Sequence, residues 1–349
     1  MAHCLNLAQL GGSFTAPNPM VGAVVVCDGK IIGEGYHRRY GEPHAEPNAI
    51  RSVKDKSLLR KSTLYVNLEP CSHYGKTPPC ADLIVNSGIP RVVIATLDPN
   101  PKVSGRGVEI LQKAGINVEI GILAEEARHL NRRFFCFQEK KRPFITLKWA
   151  QTADGFIDKN RKEPTLPALQ ISNAVTQQFT HKMRSENMAI MVGTHTALLD
   201  NPSLTLRYWQ GRSPLRAIID KKGIIPESYR LKNGEQPTVI FTKTPQESRP
   251  NVEYVLLKQE DSNVEEILHH FYLKNVHSVL VEGGAKLLQS FIDTGFWDEA
   301  NIEISPQNIG AGVNAPTLKN RQIEFEKNIE NHKWMHYRFS DELSGKLVD

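Results

Sequence analysis

Three residues able to bind a borderline or soft metal, His44, Cys71 and Cys80, lie in the first quarter of the chain, and Glu46 stands two positions after the histidine. This set constrains the fold more than any other feature, because ligands so far apart in sequence require three segments to converge on one point. An imidazole and two thiolates suit zinc, and three protein ligands leave the fourth tetrahedral position for water, the mark of a catalytic site. His44 follows Pro43 and Cys80 follows Pro79, both at expected helix starts, where the helix dipole stabilises a thiolate. Cys71 follows Pro70 at the end of an expected strand. His-x-Glu alone and Pro-Cys alone are weak signals; in this order and on these elements they are specific. The competing reading, two buried cysteines and a surface histidine, gives Glu46 no role.

Zinc deaminases of nucleobases use such a set, with His/Cys/Cys on the metal and a non-ligating Glu that moves the proton of the attacking water to the ring and the departing ammonia. Their usual spacing leaves two residues between the cysteines, whereas eight, Ser72 to Pro79, intervene here. The strand–Pro-Cys–loop–Cys–helix frame survives, so the inserted loop is expected to touch substrate. Lys76 within it suggests an anionic group; a solvated loop lysine is the bland alternative.

With 349 residues the chain has room for two domains. The first half alternates strands and helices. Strands are expected at Val21–Val26, from Ile31, and at Thr63–Leu68, Arg91–Thr96 and Ile116–Ile120. Helices are expected at 46–53, 80–87 and 105–114, with a single helix from Ala124 to Phe137. Charge and proline cluster at Glu139-Lys140-Lys141-Arg142-Pro143, which places a boundary between domains 1–141 and 142–349. The second half alternates too, with strands at 144–150, 189–192, 215–219, 238–242, 252–257 and 278–281, a loop over 158–168, and helices ending near Arg184, Lys274 and Asp293. The expected class is α/β throughout, with an α-β-α sandwich in the first half.

A net charge of +5 is too small for a strongly basic nucleic-acid binder and is compatible with anionic small molecules. No apolar run approaches the ~18 residues of a membrane span. The N-terminus lacks a signal-peptide pattern, and five cysteines are not a disulfide framework, so a cytoplasmic setting is expected. The second half has no Gly-x-Gly-x-x-Gly after a strand, which leaves a Rossmann site unsupported. It has instead Val281-Glu282-Gly283-Gly284-Ala285 between a strand and a helix, where backbone N–H groups could approach a phosphate; a tight turn explains the same residues.

The longer motifs Ala16-Pro17-Asn18-Pro19-Met20-Val21-Gly22, Gly41-Glu42-Pro43-His44-Ala45-Glu46 and Leu68-Glu69-Pro70-Cys71, continuing through Gly75-Lys76-Thr77 to Cys80, closely resemble the bifunctional riboflavin-biosynthesis deaminase/reductase family. The likeness continues through Phe144-Ile145-Thr146-Leu147-Lys148, Thr152-Ala153-Asp154-Gly155, Val192-Gly193-Thr194-His195-Thr196, Leu204-Thr205-Leu206-Arg207 and Glu282-Gly283-Gly284. The resemblance implies a cytidine-deaminase-like first domain and a dihydrofolate-reductase-like second. It implies that a phosphorylated diaminopyrimidinone is deaminated with Zn2+ and its ribosyl group then reduced to ribityl with NADPH. It places Asn18, His37 and Lys76 on the deaminase substrate, Ala150, Thr196, Asp200 and Gly284 on the cofactor, and Arg184, Leu204, Arg207 and Glu282 on the reductase substrate. Lys221 and Lys222 could favour the 2′-phosphate of NADPH. Members commonly carry a tryptophan where this chain has Gln170. A homo-oligomer with no nucleic-acid or membrane partner is expected. The alternatives are a deaminase whose second domain only binds or oligomerises, and a zinc-stabilised RNA-binding protein, which would not need Glu46.

Overall fold

The computed structural model describes residues 1–72, 78–100, 104–258 and 263–340. The backbone forms two compact units, Met1–Lys141 and Arg142–Asp349. Among the described residues no helix is long and apolar enough to cross a membrane.

In the first unit, α1 (Ala2–Gln9) precedes β1 (Gly22–Cys27), whose sequence Gly-Ala-Val-Val-Val-Cys is buried almost throughout, as a strand covered on both faces must be. The Asp28-Gly29 turn returns the chain antiparallel as β2 (Lys30–Tyr36). On the other edge β1 pairs antiparallel with β3 (Thr63–Val66), and β4 (Arg91–Ile94) and β5 (Asn117–Ile120) extend the sheet in parallel. Because β1 opposes both its neighbours, β2, β3 and β4 point the same way and their carboxyl ends share one edge. The helices that follow β2 and β3, α2 (Ala45–Ser52) and α3 (Cys80–Asn86), therefore begin at that edge. Gly35 lets α2 lie directly on the sheet: a Cβ there would fall 2.4 Å from the Ala49 amide nitrogen.

After α4 (Arg106–Lys113), the single helix expected over Ala124–Phe137 is instead two, α5 (Ala124–Leu130) and α6 (Arg132–Lys140). Asn131 breaks it at φ −101° and ψ 21°. Its side chain accepts from the Met20 N–H at 2.8 Å and donates to the Met20 carbonyl at 2.9 Å, so tertiary hydrogen bonds override a helical sequence pattern.

The second unit begins with β6 (Phe144–Gln151) and β7 (Phe156–Asp158), followed by α7 (Ala174–Glu186), β8 (Ala189–Gly193) and α8 (Thr194–Asp200). Then come β9 (Leu215–Ile219), β10 (Thr238–Thr242), β11 (Val252–Leu256), α9 (Val264–Leu273), β12 (Ser278–Gly283) and α10 (Ala285–Asp293). Past Asp293, where the sequence pattern offers no clear element, lie β13 (Glu299–Ile304), β14 (Val313–Asn314), β15 (Arg321–Ile329) and β16 (His332–Phe339). Among the described residues the sheet has nine strands in the order β11-β10-β9-β8-β12-β6-β13-β16-β15, parallel as far as β13 and antiparallel beyond it.

Alternation along the strands splits the core in two. Met191, Ala217 and Phe241 join one cluster, while Ile190, Ile218 and Ile240 join another. The sheet is thus buried on both faces over β8–β10, which explains why those strands read as unbroken apolar runs. From β6 the chain crosses to β8, runs outward to β11, and returns to fill the place between β8 and β6 with β12. Such a reversal leaves a crevice at the carboxyl ends of the strands.

Candidate active sites

The edge shared by β2, β3 and β4 gathers the residues singled out in the first unit. His44 caps α2 with extended backbone, Glu46 lies in the first turn, and Cys80 opens α3. His44 Nδ1 lies 3.6 Å from Cys71 Sγ and 3.4 Å from Cys80 Sγ, and all three ligand atoms fall within 4.8 Å of one another. Zinc with Zn–S near 2.3 Å and Zn–N near 2.0 Å would space tetrahedral ligands by about 3.6 Å. The donor set and its spacing fit that ion.

The thiol of Cys80, with help from His44, holds Cys71 down to about 4, the thiolate that a metal needs. Glu46 is only 3% exposed. Burial, reinforced by the charge of Cys71, pushes its carboxyl up to about 7, where it can take and return a proton near neutrality. The Nδ1–H of His37 donates to the Pro43 carbonyl at 3.2 Å, which leaves Nε2 to accept from Asn18 Nδ2 at 3.2 Å. The His37 ring meets that of His44 edge-on at 5.4 Å, and burial lowers its pKa, so a neutral imidazole and an amide line the approach to the metal ligands. Lys76 lies outside the described residues.

Sequence reading passed over Glu69. It is buried, and its Oε2 accepts from the N–H groups of Asp98 and Gly105 while Oε1 accepts from those of Gly107 and Val108. The carboxylate thus caps α4 and anchors the Pro70-Cys71 turn. A Cβ on Gly107 would come within 2.1 Å of the Pro70 carbonyl oxygen, so the contact admits no side chain. In Glu69→Gln an amide NH2 would face backbone donors. The expected cost is about 3 kcal/mol of unfolding free energy, with weaker zinc retention and intact chemistry in the second unit. Denaturant titration and metal analysis of the variant measure both.

In the second unit, a cavity of about 540 Å³ opens at the carboxyl ends of β6, β8 and β12. Ala150, Thr196, Asp200, Gly284, Arg184, Arg207 and Glu282 all line it. Gly284 leads into α10 across a cis Gly283–Gly284 peptide, and a Cβ there would lie 3.0 Å from Thr196 Oγ1. Backbone and hydroxyl groups thus approach each other where a cofactor phosphate could sit. Lys221 and Lys222 follow β9 at the same edge of the sheet.

Three placements refine the sequence reading. Leu204 does not line the cavity: it is 3% exposed, packed with Ile190, Val192 and Ile218, with its backbone at φ 53°. Arg184 and Glu282 hold each other, through Nε–Oε1 at 2.7 Å and NH2–Oε2 at 2.6 Å. Asp200 is bound to Arg161, which also bonds Asp158 and the carbonyl oxygens of Leu166 and Leu199, tying the 158–168 loop to α8. Lys148, Ser172 and His181 also line the cavity and were not singled out. Lys148 could have been: it is the one charged residue in a mostly apolar strand.

Residues 143–337 match the family described as the RibD C-terminal domain, and residues 1–96 match the cytidine and deoxycytidylate deaminase zinc-binding region. The riboflavin biosynthesis protein RibD of Aquifex aeolicus is 42% identical over 95% of this chain and 93% of that protein. The chain belongs to the RibD family. The RibD proteins of Bacillus amyloliquefaciens and Escherichia coli K12 are 41% and 35% identical, over 91% and 89% of this chain and 86% and 88% of theirs. A diaminohydroxyphosphoribosylaminopyrimidine deaminase/5-amino-6-(5-phosphoribosylamino)uracil reductase from Thermotoga maritima has a crystal structure that superposes with a TM-score of 0.88 at 39% identity, covering 97% of both chains. Acinetobacter baumannii RibD superposes at 0.86 with 30% identity and the same coverage. As a RibD-family member the protein is a bifunctional deaminase and reductase of riboflavin biosynthesis, acting on a small pyrimidine and using zinc and NADPH.

Proposed function

We propose that the two sites act in sequence on one phosphorylated pyrimidine. The first removes the 2-amino group of 2,5-diamino-6-(5-phosphoribosylamino)pyrimidin-4-one by hydrolysis, and the second reduces the ribosyl group to ribityl. The observation that carries this reading is His44, Cys71 and Cys80 at tetrahedral spacing beside the buried, non-ligating Glu46. When bound by these three residues, zinc supplies Lewis acidity that makes water nucleophilic at neutral pH. Glu46 takes the proton of the attacking water and passes it to the ring nitrogen and then to the leaving ammonia. Asn18 and His37 orient the ring, and Lys76, by its place in the sequence, meets the anionic end.

In the second unit NADPH supplies the hydride. Ala150, Thr196, Asp200 and Gly284 hold the cofactor; all four border the cavity. Arg207 and the Arg184–Glu282 pair meet the substrate, with Lys148 as a buried cation lining the same cavity. Leu204 acts through its backbone position, since the neighbouring Thr205 carbonyl accepts from Arg184 NH1 at 3.3 Å. A homo-oligomer fits the long edge strand β15, which exposes Ile323 and Phe325. A cytoplasmic setting fits five cysteines that form no disulfide.

The test is incubation with the diaminopyrimidinone, with and without NADPH, and product identification by mass. Without NADPH the expected product has the amino group replaced by oxygen and is accompanied by ammonia; with NADPH it carries two further hydrogens. Ammonia release with no NADPH consumption would favour a second unit that only binds or assembles.

A further inference from the structure

One guanidinium joins three segments at the edge of the reductase cavity. Arg161 lies just past β7, and its side chain is 5% exposed. Its Nε donates to Asp158 Oδ2 at 2.7 Å, and its Nη2 donates to Asp200 Oδ1 at 2.5 Å. Its Nη1 donates to the carbonyl oxygens of Leu166 at 3.1 Å and Leu199 at 3.5 Å. Asp158 closes β7, stands opposite Val313 of β14, and accepts through Oδ1 from the Leu169 N–H at 3.0 Å. Leu199 and Asp200 belong to the last turn of α8, where carbonyl groups lack helical partners and favour a nearby cation.

Asp158, Arg161, Asp200 and residues 168–172 all line the cavity. Arg161 takes one oxygen of Asp200; among the described residues the other, Oδ2, has no partner and can accept from a hydroxyl or amide of a bound molecule. Without the guanidinium, the carboxylates of Asp158 and Asp200 would repel each other across the space it now fills. Both would also stand uncompensated beside a cavity that must receive an anionic cofactor. The fork geometry matters here, because a single side chain has to serve two carboxylates and two carbonyl groups at once.

We propose that Arg161 is a positioning residue of the reductase: by holding Asp158, the Leu166 carbonyl and Asp200 on one guanidinium, it sets the cofactor groove in its binding shape before NADPH arrives. The inference rests on the reading of that cavity as the NADPH site. A groove already in that shape spares binding the free energy of ordering the 159–172 segment and of fixing the Asp200 carboxylate. Arg161 thus acts on cofactor affinity and not on hydride transfer once NADPH is bound.

Arg161→Met removes the fork and its charge and keeps an unbranched side chain in its place. Its dissociation constant for NADPH, from fluorescence titration, should rise at least about tenfold, as when a binding-competent state becomes a minor one. With the deaminated substrate and saturating NADPH, kcat should stay within about threefold of the native value. Ammonia release, which belongs to the other unit, should be unchanged. A role confined to stability would instead lower the active fraction, and so kcat, and leave the dissociation constant alone. Arg161→Lys restores the charge without the fork and should recover only part of the affinity; it decides the matter if Arg161→Met does not fold. Native NADPH affinity in either variant would overturn the positioning role and leave the cavity reading standing. A native protein that binds no NADPH, or whose binding is untouched by Thr196→Trp, would overturn that reading and the inference with it.

Discussion

Glu46→Gln should release ammonia from the diaminopyrimidinone at least about a thousandfold more slowly than the native protein while still holding one zinc per chain. General acid–base groups contribute roughly 10²- to 10⁴-fold, and in the proposed mechanism Glu46 serves both as acceptor from water and as donor to the ring, so the upper part of that range applies. The amide fits the same buried space in the first turn of α2 and leaves the candidate ligands His44, Cys71 and Cys80 untouched. Metal analysis and ammonia release, measured on one preparation, separate loss of chemistry from loss of zinc. Turnover of the already deaminated substrate with NADPH should be unchanged, because that cavity belongs to the other unit. Deamination at more than a tenth of the native rate would remove Glu46 from the mechanism.

Arg184→Met should silence the reductase and weaken the second unit together. The guanidinium makes two bonds to Glu282, and both side chains are largely buried. Removing one partner of such a pair costs about 3–5 kcal/mol, because the other charge stays in the interior unmatched. The double variant Arg184→Met/Glu282→Gln removes both charges and should recover most of the lost stability without recovering NADPH oxidation. Urea unfolding and NADPH consumption should therefore part company in the double variant. A single variant of native stability with normal turnover would show that the pair is neither structurally nor functionally required.

Much of the candidate deaminase site could be read from the chain. Cys80 behind Pro79 and His44 behind Pro43 announce helix starts, and the chemistry of imidazole and thiolate names the metal. The parallel strands of the second unit were legible for a related reason: both faces are buried, so alternation disappears and the apolar runs stand out. Other features were hidden by physics that acts only after folding. Asn131 lies in an amphipathic stretch that reads as one helix, and it becomes a break because Met20, far off in sequence, offers it two hydrogen bonds. β13 and β16 carry Glu299, Asn301, Glu303, His332 and His336 at positions that turn out buried, so polarity that suggests solvent instead marks an internal charge network. Leu204 was expected on the substrate because of its neighbours, and its apolar side chain goes to the core.

The sequence by itself determined which chemistry to look for: an imidazole, two thiols and a neighbouring carboxylate in a pattern that suits zinc, and membership of a family with two reactions. Those follow from residue types and short spacings, which survive without coordinates. Only the tertiary structure decided which charges face one another. That Glu69 caps α4, that Arg184 is matched by Glu282, and that Lys148 is balanced by Glu303 depend on strand register and on burial. A charge in the interior is tolerable only beside a partner, and that partner is supplied by segments distant in the chain.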